Sequence, residues 1–200
     1  MCKIVCVTNR RLCGEDFLKR IEKIASSHPE AIILREKDLS EAEYKPLAEK
    51  AIEICNRHSV RIILHTYTEV AKKFGLSVHL SISAMRALTE QDRKSLVFGV
   101  SCHSVEEAIE AEKSGASYVT AGHIFDTDCK KGTPGRGIEF LKRVCESVSI
   151  PVYAIGGIDT QNARQVIEVG ANGVCIMSGE MTSKDVNKYI TDLKSAVNKN

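Results

Sequence analysis

The stretch LVFGVSCHSVEEAIEAEKSGASYVTAG, residues 96–122, decides the fold. LVFGVS (96–101) and SYVTAG (117–122) are short, apolar and rich in β-branched residues, the composition of strands. Between them SVEEAIEAEKSGA (104–116) sets Val105, Ala108, Ile109 and Glu112 at three- and four-residue steps, the spacing of a helix with one apolar face. Ser104 followed by Glu107 predicts a capping box at its start. Strands that are apolar on both faces and joined through a helix belong to a parallel sheet covered by helices.

The same unit recurs in both directions along the chain. Further strand runs are KIVCVT (3–8), AIILRE (31–36), RIILH (61–65), SVHL (77–80), PVYAIGG (151–157) and GVCIMS (173–178), which makes eight in all. DTQNARQVIEVGA (159–171) repeats the helix, with Asp159 as the expected N-cap and Gly170 as the stop. Eight units in 200 residues leave roughly 25 for each, enough for a strand, a three-turn helix and two short loops. The expectation is an α/β fold, a (β/α)8 TIM barrel forming a single domain over residues 1–200. A doubly wound sheet is the weaker alternative, because TNRRLCGED after the first strand carries no G-x-G-x-x-G turn. Pro46 is expected to open or interrupt the second helix.

Composition narrows the function classes. Hydrophobic residues make up 43% and charged residues 27%, and 28 basic against 26 acidic side chains leave a net charge of +2. With no basic cluster interleaved with aromatics, no nucleic-acid partner is expected. No run has the length of a membrane span, and the N-terminal apolar run is too short for a signal-peptide core, so no membrane association and a cytoplasmic location are expected. None of the eight cysteines stands in a C-x-x-C pair, which argues against a zinc site and for free thiols.

In a parallel barrel the strand C-termini converge on one face, where ligands gather. The residues there include Thr8, Arg35 with Lys37, His65, His79, Ser101 with His103, His123, Gly156 with Gly157, and Ser178 with Gly179. The last two pairs leave the seventh and eighth strands through small residues, so backbone N–H groups can close on an anion there. A phosphorylated small molecule is the expected ligand. The bland reading is that these glycines serve tight turns. His123 stands where the sixth strand surfaces, and an imidazole there can take and return a proton. The loop behind it, DTDCKKGTPGRG (126–137), offers Lys130, Lys131 and Arg136 to an anion, with Gly132, Gly135 and Gly137 giving it room to fold down. Arg35 suits bidentate recognition of a carboxylate or phosphate.

LREKDL (34–39), VHL (78–80), residues 99–119, AIGGI (154–158) and GANGVCIMSG (170–179) together resemble the thiamine phosphate synthase and TenI superfamily. The resemblance covers most of the chain and implies a (β/α)8 barrel. Its synthase branch joins a pyrimidine diphosphate to a thiazole phosphate and holds magnesium on two aspartates. The corresponding positions here are Thr66 and Ala84, and Leu34 replaces a glutamine. GHIFDTDCKKGTPGRG (122–137) resembles the other branch, the TenI-type thiazole tautomerases. That resemblance implies an isomerase of thiamine biosynthesis with His123 as catalytic acid and base, converting a carboxythiazole phosphate to its aromatic tautomer. Arg35, Lys37, Ser101, Lys130, Gly156, Gly157, Ser178 and Gly179 are the expected substrate-binding residues. No metal and no organic cofactor are implied. The partners expected are the small-molecule thiazole phosphate and, since apolar outer helices of barrels often pair, a second copy in a homodimer. The alternatives are a thiamine phosphate synthase, a non-catalytic phosphate-ligand sensor, or a Schiff-base enzyme using Lys37.

Overall fold

The computed structural model describes residues 3–127 and 132–198. Eight parallel strands close into a barrel in chain order: β1 (Lys3–Val7), β2 (Ala31–Leu34), β3 (Arg61–His65), β4 (Val78–Ser81), β5 (Phe98–Cys102), β6 (Tyr118–Gly122), β7 (Val152–Ile155) and β8 (Gly173–Ile176), with β8 pairing back onto β1. The expected (β/α)8 barrel is therefore the fold, and the doubly wound alternative is excluded by closure. Helices α1 (Phe17–Ser26), α2 (Glu41–Arg57), α3 (Thr68–Phe74), α4 (Ile82–Arg86), α5 (Glu90–Ser95), α6 (Val105–Lys113), α7 (Gly137–Ser147), α8 (Ala163–Glu168), α9 (Ser178–Thr182) and α10 (Val186–Asn198) occupy the connections and the C-terminus.

Alternation along each strand sorts the core into two layers. Ile4 and Cys6 of β1 and Ile32 and Leu34 of β2 join the large layer between sheet and helices. Val5, Val7, Ala31 and Ile33 turn inward and meet Ile63, Tyr153 and Cys175 inside the barrel. Tyr118 fills much of that interior, and it can do so because β5 carries Gly99. A Cβ on Gly99 would lie 2.0 Å from the Tyr118 ring. Tyr118 and Tyr153 meet edge to face with ring centroids 5.6 Å apart.

Three local expectations need correction. The Ser104 hydroxyl caps α6 by accepting from Glu107 N–H, but the Glu107 carboxylate accepts from the His103 amide instead of returning to Ser104, so the box is half formed. Asp159 caps a turn, accepting from Gln161 and Asn162 N–H, and Asn162 stands at the start of α8. Pro46 neither opens nor interrupts α2. It sits in the second turn of a helix started by a full capping box between Ser40 and Glu43, where it leaves the Ala42 carbonyl without an intrahelical donor while the helix runs on through it. Among the described residues no helix is long and apolar enough to cross a membrane.

Candidate active site

The mouth at the strand C-termini has two unlike halves. On the β1–β5 side it is built from polar side chains. Arg35 follows β2 directly, its amide donating to the Thr8 hydroxyl at 2.9 Å. Its guanidinium reaches toward β8, where Nη1 approaches Met177 Sδ at 4.0 Å. Lys37 is exposed in the turn beyond. Between them Glu36 points the other way, as the alternation of an extended chain requires. Its carboxylate accepts from the Thr8 hydroxyl at 2.7 Å and from the Arg10 amide at 3.0 Å. Burial pushes the Glu36 carboxyl above its ordinary range, against the pull of these donors.

Deeper in the barrel, His65 and His79 face each other with ring centroids 5.8 Å apart. His79 is fully committed: Nδ1 meets the Tyr118 hydroxyl at 2.9 Å and Nε2 meets the Ser101 hydroxyl at 2.8 Å. Thr120 donates onward to Ser101 at 3.3 Å. His65 Nδ1 meets the hydroxyl of Thr66 at 2.6 Å. Burial, and after it His79 and the charges of Arg35 and Lys37, hold His65 down at about 2. Burial followed by the same two charges holds His79 at about 3. Both imidazoles are therefore neutral near pH 7, and both cations act on the barrel mouth.

The β6–β8 side is built from backbone. Gly156 has φ +105°, and a Cβ there would lie 2.5 Å from His123 Cβ. Gly157 lies against Asp126 and Phe125, and Gly179 against the Tyr189 hydroxyl. Turn geometry and close packing thus give these glycines a structural reason, beside the anion-binding one, to lack side chains. Ser178 opens α9 and is exposed, and Glu180 behind it is fully buried. Glu180 Oε1 accepts from Val7 N–H at 3.2 Å, while Oε2 has no hydrogen-bond partner among the described residues. Burial drives this carboxyl up to about 8.

His123 is 4% exposed and closes the β6 end. Its Nε2 lies 3.1 Å from the Thr133 carbonyl, and its own carbonyl accepts from Arg136 N–H at 2.9 Å. The ring thus clasps the returning loop to the barrel. Asp126 reinforces the clasp by accepting from Gly135 N–H at 2.7 Å. Lys130, one of the expected substrate contacts, lies outside the described residues, as does Lys131.

The structure accordingly gathers Arg35, Lys37, Ser101, His123, Gly156, Gly157, Ser178 and Gly179 on the loops and strand ends of one barrel face. Sequence reasoning singled out neither the Thr8–Glu36 pair, the Tyr118–His79–Ser101–Thr120 chain nor Glu180. The first was legible in principle, since Glu36 must point opposite to Arg35 and Lys37. Cross-strand neighbours such as His79 and Ser101 become visible only with the register of β4 on β5, which places Ser81 beside Ser101 and His79 beside Gly99.

A closed parallel barrel with paired cations on one side of its mouth and glycine-built turns on the other defines a class, the barrels with an anion-collecting C-terminal face. Within that class the chain belongs to the family described as Thiamine monophosphate synthase, which it matches over residues 4–179. It is 33% identical to a thiamine-phosphate synthase of Clostridium acetobutylicum, over 99% of this chain and 96% of that one. It is also 33% identical to one of Fusobacterium nucleatum, over 96% and 95% of the two chains. The solved thiamine phosphate pyrophosphorylase of Pyrococcus furiosus superposes with a TM-score of 0.83 at 30% identity, covering 98% of this chain and 95% of that one.

These comparisons correct the functional expectation. The relatives are named as synthases, which are transferases, so the assignment as an isomerase, a TenI-type thiazole tautomerase, is overturned. That assignment leaned on His123 and the loop after it; in the structure His123 Nε2 meets the Thr133 carbonyl, while Nδ1 is buried with no hydrogen-bond partner among the described residues.

The synthase branch of the resemblance holds magnesium, and the residues present here do not fit it. Mg²⁺ is bound through carboxylates together with phosphate oxygens. The Thr66 hydroxyl is engaged by His65, and Ala84 has no side-chain oxygen to offer. Among the described residues no group of three or more His, Cys, Asp or Glu side chains could hold a metal ion.

Proposed function

We propose that this chain joins a pyrimidine diphosphate to a thiazole phosphate, forming thiamine phosphate and releasing inorganic pyrophosphate. The observation that carries the reading is the 33% identity, over 99% of the chain, to a protein named thiamine-phosphate synthase. The mouth supports it by charge and shape. Backbone N–H groups of the Gly156–Gly157 and Ser178–Gly179 turns suit the single phosphate of the thiazole. Arg35 and Lys37 suit the diphosphate, whose negative charge grows as the C–O bond to it breaks and the C–N bond forms. Fixed cations aimed at a leaving anion lower that barrier. Ser101, held by His79 and Thr120, is a neutral hydrogen-bonding group suited to a heterocycle between the two anions. His123 serves in this reading as a positioning residue that sets the loop over the mouth.

The test is to incubate the purified chain with both substrates and measure thiamine phosphate and pyrophosphate together. The reading expects the two in equal amounts and neither when one substrate is omitted. A chain that binds both substrates and forms no product overturns it. That outcome would favour the second reading, a non-catalytic binder of thiazole phosphate, which Thr66 and Ala84 at the family's carboxylate positions support.

A further inference from the structure

We infer that the β2–β4 half of the mouth takes up a pyrophosphate group directly, on Arg35, Lys37 and strand-end hydroxyls, with no divalent cation between protein and anion. The identity of the anion rests on the synthase reading; the manner of its capture rests on the charges of this site.

Among the described residues, the acidic groups near the mouth have the following partners. Glu36 is buried and accepts from Thr8 and the Arg10 amide. Asp38 is bound by Arg10 at 2.6 Å and by Arg11 at 3.0 Å. Asp126 accepts from Gly135 N–H and Asp159 from Gln161 and Asn162 N–H. Glu107 is taken by the His103 amide. Among the described residues, those set at this half of the mouth are cationic or neutral: Arg35, Lys37, the uncharged His65 and His79, the exposed Thr66 and the half-buried Ser81 and Ser101. Thr66 adopts φ +72°, a left-handed conformation strained for a β-branched residue, and this is the position where the resemblance places a metal-binding aspartate. Such a surface repels a free dication and attracts a polyanion. A guanidinium and an ammonium can supply the charge that a metal would otherwise bring, the guanidinium with two parallel donors.

Inorganic pyrophosphate is the probe, titrated calorimetrically into the full chain in EDTA and again in excess magnesium. The expected dissociation constants agree within about threefold, and Arg35→Gln weakens both by about tenfold or more. Lys37→Gln, at an exposed position that leaves folding intact, is expected to weaken both by about threefold. Binding seen only with magnesium overturns the inference, as does binding in neither buffer or binding indifferent to both substitutions. The synthase reading fails separately. Metal-free pyrophosphate binding without thiamine phosphate formation refutes the reading and leaves the inference standing, whereas product formation with magnesium-dependent binding does the reverse.

Discussion

The two halves of the barrel mouth are built by different means. Around β2, β3 and β4 the site is made of side chains, with Arg35, Lys37, His65 and His79 set on or just beyond the strand ends. Around β6, β7 and β8 it is made of backbone, with Gly156, Gly157 and Gly179 brought so close to neighbouring elements that any side chain would collide. The first half can change its chemistry by single substitutions while the fold stays intact. In the second half the geometry that would hold an anion also holds the barrel together.

That difference extends to pH, with opposite signs. Glu180, under the backbone half, has its carboxyl raised by burial to about 8 in the folded chain against an ordinary value of 4.5. The folded state therefore holds a proton that the unfolded state releases, so stability is full below about 4.5 and declines as pH rises toward about 8. The decline between pH 5 and 8 is of the order of 3 kcal/mol. In Glu180→Gln, denaturant titrations across that range should show the decline abolished. An unchanged slope would mean that the carboxylate is stabilised in a way its unpartnered Oε2 does not reveal.

An effect of similar size sharpens the contrast. Gly156→Ala places a methyl 2.5 Å from His123 Cβ at φ +105°, and should cost about 3 kcal/mol, a fall of roughly 10 °C in Tm by calorimetry. A Tm within about 2 °C of the parent would show that the β6–β7 contact yields easily, and the claim of a rigid backbone half would fall.

The smallest effect belongs to the side-chain half. His65 and His79 stay neutral in the fold, held at about 2 and about 3, against an ordinary 6.5. Their folded values are depressed, so the unfolded chain takes up protons that the fold refuses, and stability is lost as pH falls below 6.5. Between pH 6.5 and 5 each contributes a loss of about 1.5 kcal/mol. His79→Gln keeps a hydrogen-bonding group between Tyr118 and Ser101 and should remove about half of the combined loss. An acid limb as steep as the parent's would show that His79 is already protonated in the fold.

The fold was legible because its signal is periodic and repeated eight times. Apolar runs such as AIIL and RIILH cannot be half-exposed strands, and the helices between them leave little but a closed parallel sheet. Strand ends fixed the list of candidate site residues for the same reason. Less was legible where partners come from distant segments. Glu107 has two possible amides one residue apart, and only the backbone path decides that it takes His103. The contact of His123 Nε2 with the Thr133 carbonyl was not legible, because that partner is a backbone atom that any sequence would supply. The departure of Thr66 and Ala84 from carboxylates was visible, but a local departure did not outweigh the likeness to synthases along the whole chain.

The central claim is that the two halves hold two anions, a thiazole phosphate on backbone and a diphosphate on side chains. A crystal structure of the chain with thiazole phosphate and inorganic pyrophosphate together tests it most directly. The account predicts the single phosphate within hydrogen-bond reach of the amides at 156–157 and 178–179, and pyrophosphate against Arg35 and Lys37. Pyrophosphate seated on the β7–β8 turns, or either anion lodged outside the barrel mouth, would contradict it.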